Sequence, residues 1–214
     1  MALKWTLIWL CSFAAFAFTA SDHNETEYQG CNLTPEFFEL LPAFLKKTAR
    51  CGENLSVEET FLLLVYMKNA TDALHRQQLK GCQGAEPKQC PDAEVPQNGG
   101  LACVTVAHKR YCKPLCNDGY DFAFMRRSRV YDECSEQTGY KWSTQYVGGN
   151  RLAVCNEASM QVSGAATAYF PKDCLTTMSS RELPRKVMEH FTSELKNQGI
   201  QGEPENPCLV CGGP

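Results

Sequence analysis

The sequence lacks the motifs that identify the common classes of enzyme. Its four histidines lie far apart and form no His-Glu-x-x-His pattern, and it contains neither a Gly-x-Ser-x-Gly elbow nor a phosphate-binding loop. Catalysis needs a nucleophile beside a base, paired carboxylates or an open metal site, and none of these is recognisable. We therefore expect a protein that is not an enzyme and that has no catalytic residue, no cofactor and no metal site.

Three further absences restrict the partners. Basic residues are not in excess, because 21 Lys and Arg stand against 24 Asp and Glu, so nucleic acid is not an expected partner. Beyond the N-terminal segment the longest apolar run is residues 61 to 67, which is too short for a transmembrane segment. No run of Asp and Glu is present of the kind that a calcium-binding, mineral-nucleating surface needs.

The first residues have the pattern of a secretory signal peptide. Lys4 precedes an apolar run over residues 5 to 18, and small residues follow at the end of that run. We assign residues 1–20 to this signal, which is removed rather than folded. The sequence therefore predicts a secreted, extracellular protein.

Cysteines and glycosylation sequons agree with export. Of the 13 cysteines, Cys11 lies in the signal, and the remaining 12 are an even number that can pair completely in an oxidising compartment. All four Asn-x-Ser/Thr sequons precede residue 72, which predicts a glycosylated N-terminal third. The predicted acceptors are Asn24, Asn32, Asn54 and Asn69.

Residues 21–88 are predicted to be helical. Thr34 followed by Pro35 is a helix start, Ser56 opens a second helix through a capping box, and Gly81 ends it. The simplest arrangement is a helical hairpin tied at its ends by disulfides. One of the three bracketing cysteines must pair elsewhere, and these are Cys31, Cys51 and Cys82.

Residues 89–156 are predicted to form a small all-β unit, since strand-favouring residues alternate there with turn signals at residues 96–100 and 117–119.

In residues 157–214, a capping box of Ser179 and Glu182 predicts an amphipathic helix, and the tail is expected to be irregular. The tail contains Cys208 and Cys211 in Cys-x-x-Cys spacing, but no strand-then-helix context that would depress a thiolate pKa. Redox catalysis is therefore not expected.

The β unit resembles the sushi module, also called the complement control protein module, over residues 90–155. The resemblance is positional: a Cys-Pro opening, an Asn-Gly turn, a Gly-Tyr pair after the next framework cysteine, and a Trp before the last one. The matching residues are Cys90, Pro91, Pro96, Asn98, Gly99, Cys116, Gly119, Tyr120, Cys134, Gly139, Tyr140, Trp142 and Cys155. The fold class expected is therefore disulfide-rich α+β, with a small β-module flanked by the helical hairpin and a C-terminal helix.

The resemblance implies two disulfides, Cys90 with Cys134 and Cys116 with Cys155, and it places the Trp142 ring in the small core between them. Cys103 and Cys112 are additional to the family pattern and are expected to pair across a hairpin. The two helical flanks resemble no family.

Basic residues cluster on two neighbouring segments of this module. Arginine forks suit sulfate and carboxylate groups, so the cluster predicts a site for an anionic glycan or an anionic protein face. The alternative is a solvated loop that carries charge for solubility. The predicted binding residues are Lys109, Arg110, Lys113, Arg126, Arg127 and Arg129.

The resemblance implies recognition of protein or glycan rather than catalysis. A single module favours an extracellular matrix or adhesion component over a complement regulator, and a mineral-associated matrix is compatible. Two alternatives stay open, namely a small secreted enzyme or enzyme inhibitor, and a soluble ligand for a cell-surface receptor.

Overall fold

The computed structural model describes residues 33–146 and 149–213. The predicted signal peptide, Cys31 and two of the sequons, Asn24 and Asn32, lie outside the described residues. Helices and strands are mixed, and five disulfides join them. The fold is thus of the disulfide-rich α+β class that the sequence predicts.

The chain divides into two compact units at residues 56 and 57. The first contains helix α1 (Pro35–Cys51) and the 3-10 turn Gly52–Asn54, and the second contains every later α-helix and strand. The helices of the second unit are α2 (Val57–Leu79), α3 (Cys174–Met178) and α4 (Leu183–Asn197). Its strands are β1 (Gly99–Val106), β2 (Lys109–Cys116), β3 (Tyr120–Phe122), β4 (Asp132–Cys134), β5 (Cys155–Glu157) and β6 (Glu205–Cys211).

The two predicted N-terminal helices are present at their predicted starts. α1 begins at Pro35, directly after Thr34, and α2 begins directly after Ser56. α2 passes into a 3-10 turn, Lys80–Cys82, beside the predicted stop at Gly81. Their packing as a hairpin stays a prediction, because the two helices belong to different units. Cys82 does not close that hairpin, since it is bonded to Cys208.

The main sheet is antiparallel, with the strand order β4-β2-β1-β6. β1 and β2 form a hairpin whose two turn residues, Ala107 and His108, both have positive φ (49° and 59°). This is the left-handed backbone that a tight two-residue hairpin turn requires. Both strands are buried almost throughout, because both faces of the sheet are covered.

Side chains alternate between the two faces of this sheet. The helix face carries Val104, Tyr111 and Leu209, which pack with Phe191 and Leu195 of α4 in one core cluster. The disulfide face is defined by a second cluster, in which the sheet residues meet Trp142 and Leu152. The members contributed by the sheet are Leu101, Cys103, Cys112, Cys134 and Val210. The amphipathic helix predicted in the C-terminal region therefore covers one face only.

The tail is a strand, and the prediction of an irregular extension was wrong. β6 pairs with β1 in the register Gly100↔Cys211 and Cys103↔Cys208. Two disulfides fix it, one from Cys208 to Cys82 and one from Cys211 to Cys174. The β-module therefore includes a strand from far outside residues 90–155.

The start of α4 also differs from the prediction. The helix begins at Leu183, with Pro184 in its first turn, and its Glu182 N-cap makes no side-chain capping bond. The Ser180 hydroxyl accepts the backbone N–H groups of Glu182 and Leu183 instead, both at 3.3 Å. Proline favours this first-turn position because it has no N–H to leave unpaired.

Candidate binding cavity

The six basic residues predicted to form a patch do not lie together on the surface. Arg110, Lys113 and Arg126 are only 5%, 2% and 4% exposed, so a six-residue surface patch was a wrong prediction. Strand alternation is one reason, because positions 110 and 113 of β2 project to opposite faces of the sheet. Lys109 and Arg129 are partly exposed, and Arg127 is exposed.

The charge of Lys113 is paired with a carboxylate on the helix face. Its Nζ lies 2.5 Å from Oε2 of Glu194 in α4 and donates to the Thr167 hydroxyl at 3.0 Å. Burial lowers the pKa of Lys113, and the hydrogen bond and charge of Glu194 oppose that shift. A buried cation with a partly buried acid beside it is a structural pair, not a free anion-binding group.

Arg126 is also neutralised within the chain. Its Nη2 lies 2.8 Å from Oδ2 of the fully buried Asp132, and its Nη1 donates to the carbonyl oxygen of Leu152 at 3.0 Å. Arg129 contacts the other oxygen of Asp132 at 2.8 Å. Lys109 pairs with Glu133 at 3.4 Å. These contacts hold the 126–134 segment in place.

Arg110 differs from the other buried cations. Its Nη1 donates to the Asn206 carbonyl oxygen at 2.8 Å and to the Thr105 hydroxyl at 3.3 Å, and its Nη2 donates to Sγ of Cys208 at 3.1 Å. Among the described residues no carboxylate lies within 4.0 Å of it. Burial lowers the pKa of Arg110 to about 10, against the opposing charge of Asp92. The guanidinium is therefore charged at neutral pH, desolvated, and surrounded by neutral acceptors.

Arg110 lines a cavity of about 1040 Å³. Its walls are the C-terminal end of α2 with His75 and Leu79, the segment 90–98, the disulfide face of the sheet, and residues 151–157. Sites for small ligands fall in the range of about 300–1,000 Å³. This cavity is therefore large enough for a drug-sized molecule or a short extended peptide.

The cavity wall contains both apolar and charged groups. Trp142 is 7% exposed and donates from Nε1 to the Pro91 carbonyl oxygen at 2.8 Å. The carboxylates of Asp92, Glu94 and Glu157 also line the wall. Glu94 forms an exposed ion pair with Arg151 at 3.1 Å. The cavity wall therefore carries three carboxylates and two arginines, and Glu94 is the carboxylate that is paired with Arg151.

All five disulfides of the described residues lie within the second unit. The structure contains Cys90–Cys134, Cys116–Cys155 and Cys103–Cys112, which are the three pairings expected from the sequence. Cys82–Cys208 and Cys174–Cys211 are the other two, so each cysteine of the Cys-x-x-Cys pair bonds to a different partner. Among the described residues Cys51 is unpaired.

Three cysteine sulfurs meet at one point of the disulfide face. The Sγ atoms of Cys82, Cys103 and Cys208 all lie within 4.8 Å of one another. Each is oxidised in a disulfide, and zinc binding requires thiolates. As they stand, these sulfurs are two adjacent disulfides and not a metal-ligand set.

One of the described histidines, His75, shares the cavity wall with the carboxylates of Asp92, Glu94 and Glu157. His75 lines the cavity, but its Nδ1 lies 3.1 Å from Nε2 of Gln78. An amide nitrogen only donates, so Nδ1 is the acceptor of this hydrogen bond. Gln78 is fixed in turn by the backbone of Cys211, whose N–H it accepts at 2.9 Å. His108 lies in the β1–β2 turn and His190 is exposed on α4; His23 is outside the described residues.

Two sequons can be examined. Asn54, in the turn after α1, and Asn69, on α2, are both exposed, as a glycan acceptor must be. Their glycosylation stays a prediction.

Within residues 33–146 and 149–213, no helix has both the length and the apolar character that a membrane span needs.

Sequence reasoning missed the cavity and the special position of Arg110. One signal was available, since Arg110 lies two residues before Cys112 and must share its face of the strand. The walls could not be foreseen, because they come from segments more than 60 residues apart in the chain, such as His75 and Trp142.

No protein-family model matches this chain, and no curated protein or solved structure is significantly similar to it.

Proposed function

We propose that the chain is a secreted, glycosylated, non-catalytic interaction protein whose cavity binds a carboxylate-bearing segment of another extracellular protein. Its module over residues 90–155 is sushi-like, and its role is that of a matrix or adhesion component, with a mineral-associated matrix included. One observation carries the proposal: the buried guanidinium of Arg110 lines a large cavity, and no carboxylate of the described residues lies within 4.0 Å of it.

An anionic group of a ligand would complete the environment of Arg110. Burying a charge is costly unless an opposite charge or strong hydrogen bonds compensate it. Here the compensation comes from a carbonyl, a hydroxyl and a sulfur atom. A planar carboxylate matches the donor fork of a guanidinium. It would supply a counter-charge at ion-pair distance, whereas Asp92 acts on Arg110 from beyond 4.0 Å.

The charges of the cavity favour a protein segment over a sulfated glycan. A polyanionic glycan needs several clustered cations, but Lys113 and Arg126 are buried in internal ion pairs. Asp92 and Glu157 on the wall would also repel a polyanion. A peptide that carries one Asp or Glu among neutral or basic residues fits both signs of charge.

The sushi-like reading is supported by the framework bridges. Cys90–Cys134 and Cys116–Cys155 follow the first-to-third and second-to-fourth order, and Trp142 is buried in one cluster with Cys90 and Cys134. Modules of this family recognise proteins and glycans, which agrees with a binding cavity on the disulfide face.

Binding of short peptides tests the proposal. Eight-residue peptides with a single Asp or Glu, and otherwise identical peptides with Asn or Gln, are titrated against the secreted protein by calorimetry. We expect a subset of the acidic peptides to bind and their amide counterparts not to bind. The Arg110→Gln variant should weaken binding about 10-fold to 100-fold, the range expected for one charged hydrogen-bonded contact.

Arg127→Gln is the matched control, because Arg127 is an exposed arginine of the predicted patch that does not line the cavity. Its affinity should equal that of the native protein. Secretion and circular dichroism verify that both variants fold. If no acidic peptide binds, or if heparin binds and Arg127→Gln weakens it as much as Arg110→Gln does, the proposed ligand class is wrong.

A soluble ligand for a cell-surface receptor is a second candidate, favoured by the surface of α2. Residues 61–67 are apolar on all sides of the helix, yet Phe61, Val65 and Tyr66 are 64%, 51% and 62% exposed. Helices that are apolar all round are normally buried. Cell-surface binding that Phe61→Ser and Val65→Ser abolish, and that Glu58→Gln leaves intact, would favour this role.

A further inference from the structure

Two disulfides lie side by side on the disulfide face. Cys103–Cys112 links β1 to β2, and Cys82–Cys208 links the 3-10 turn after α2 to β6. The sulfurs of Cys82, Cys103 and Cys208 are within 4.8 Å of one another. Thiol–disulfide exchange needs a thiolate close to a disulfide sulfur, so loss of one bridge would place a free sulfur beside the other.

One of these sulfurs has a cationic donor. Nη2 of Arg110 donates to Sγ of Cys208 at 3.1 Å. A neighbouring arginine lowers the pKa of a cysteine and stabilises its thiolate. Cys208 is therefore the better leaving group of the Cys82–Cys208 bridge, and at neutral pH more of it is in the form that attacks a disulfide.

The alternative bridge fits the sheet without movement of the backbone. Cys103 and Cys208 are direct partners in the β1–β6 register. Cα atoms of antiparallel partners lie about 4.5–5.5 Å apart, within the range of about 4.4–6.8 Å that a disulfide spans. Cys82 and Cys103 also line the cavity, so a small reductant that enters it meets both bridges.

We propose that these two disulfides form an exchange site, in which a dithiol reductant opens Cys82–Cys208 and the released Cys208 captures Cys103. The reductant thiolate attacks Sγ of Cys82, the Cys82–Cys208 bond breaks, and its electron pair leaves on Cys208. Cys208 then attacks Sγ of Cys103, and Cys112 leaves as a thiolate and takes a proton from water. The second thiol of the reductant releases Cys82, so the reductant becomes a disulfide.

The exchange alters what β6 is attached to. Before it, Cys208 ties β6 to the end of α2; after it, Cys208 ties β6 to β1, and Cys82 and Cys112 are thiols. The end of α2 forms one wall of the cavity, so the exchange removes the covalent link between that wall and β6. The hydrogen bonds between Gln78 and the Cys211 backbone then remain as its attachment. The proposal does not depend on the ligand proposed above, because it concerns the sulfurs alone.

Peptide mapping after limited reduction tests it. The oxidised protein is treated with one equivalent of dithiothreitol, quenched with N-ethylmaleimide at acid pH, and mapped without further reduction. We expect maleimide on Cys82 and Cys112 together with a Cys103–Cys208 linked peptide. Maleimide on Cys82 and Cys208 with Cys103–Cys112 intact would overturn the proposal, as would no modification of Cys82 before the other bridges open.

The Cys82→Ala variant tests the second step without a reductant, because it leaves Cys208 as a thiol beside Cys103–Cys112. The secreted variant should contain the Cys103–Cys208 bridge and a free Cys112. A variant that keeps Cys103–Cys112 and a free Cys208 at every pH from 6 to 9 contradicts the proposal. If this variant is not secreted, the limited reduction of the native chain decides alone.

The role of Arg110 has its own test. In the native protein the rate at which the Cys103–Cys208 peptide appears should level off at a lower pH than in Arg110→Gln. At pH 7 it should be about threefold faster, because the arginine raises the thiolate fraction of Cys208 while a thiolate of lower pKa is a weaker nucleophile. Arg110→Lys, which keeps the charge, should restore part of that rate. Identical pH profiles in the three proteins would show that Arg110 does not act on Cys208.

Discussion

The two faces of the four-stranded sheet each bury a cation from β2, and they treat it differently. On the helix face, Lys113 meets Glu194 of α4 at 2.5 Å. On the disulfide face, Arg110 meets a carbonyl, a hydroxyl and a sulfur, with no acid at ion-pair distance in the described chain. On the helix face the buried charge is thus paired within the chain. On the disulfide face the buried charge of Arg110 is available to an anionic group of a ligand.

What covers each face explains the difference. A regular helix with Phe191 and Leu195 seals the helix face, and a charge sealed from water needs a partner in the same protein. The disulfide face is covered by short connecting segments that bridges hold in place. Disulfides stabilise small domains whose cores are limited, and here they leave space for a cavity beside Arg110.

The largest effect should come from breaking the covalent link across the disulfide face. Replacing both Cys82 and Cys208 by Ala should lower the free energy of unfolding by about 4–5 kcal/mol, because this bridge spans 126 residues and restricts the unfolded chain strongly. Replacing Cys103 and Cys112, which are nine residues apart, should cost about 3 kcal/mol. Urea unfolding without reductant measures both, and equal losses would contradict the expectation.

The next largest effect should come from unpairing Lys113 on the helix face. Glu194→Ala leaves a buried cation without its acid and should lower the free energy of unfolding by about 3 kcal/mol. Glu189→Ala on the same helix removes an exposed pair with Arg185 and should change it by less than about 0.5 kcal/mol. The two variants are compared by urea unfolding; similar losses would show that Lys113 does not depend on Glu194.

A smaller effect is expected on the disulfide face. Arg110→Met removes a buried charge that has no acid to strand, so stability should fall by less than about 1 kcal/mol. Arg126→Met is the comparison, because it takes one of two arginines from the fully buried Asp132 and should cost about 2 kcal/mol or more. If Arg110→Met lowers the free energy of unfolding by much more than this, the neutral hydrogen-bond acceptors around Arg110 already compensate the cost of burying its charge.

The smallest effect concerns pH. Burial lowers the pKa of Lys113, and Glu194 opposes this, so Glu194→Gln should lower that pKa further. A lysine whose folded pKa is below its unfolded value binds fewer protons when folded, and stability then rises with pH in that window. The stability gap between Glu194→Gln and the native protein should therefore narrow from pH 7 to pH 10, as urea titrations at both values can measure. An unchanged gap would contradict this.

Local signals predicted the parts of the fold that local chemistry determines. Thr34-Pro35 and Ser56 mark helix starts that the structure contains, and the turn residue Asn98 has the positive φ (54°) that its sequence context indicates. Strand β6 was not predicted, because two prolines so close together, Pro204 and Pro207, are typical of a loop. Its strand character comes from pairing with β1, about 100 residues earlier in the chain.

The prediction of a basic patch was wrong for a related reason. Sequence reasoning treats a charged residue as exposed unless its ion-pair partner is known, and the partner of Lys113 is Glu194, 81 residues later. Arg126 and Asp132 are close in sequence, yet the burial of both depends on the Leu152 segment that covers them. Arg110 could be placed on the face of Cys112 by alternation, but its cavity depends on the whole second unit.

The late position of β6 also sets an order of events during synthesis. Cys103 and Cys112 are both available within nine residues, whereas Cys82 waits for a partner 126 residues downstream. At translation speeds of about 5–20 residues per second, that wait lasts about 6–25 s. Throughout it, the thiol of Cys82 is present beside a β1–β2 hairpin that can already be oxidised. Enzymes that inspect nascent chains for free thiols would therefore find this one until β6 has been made.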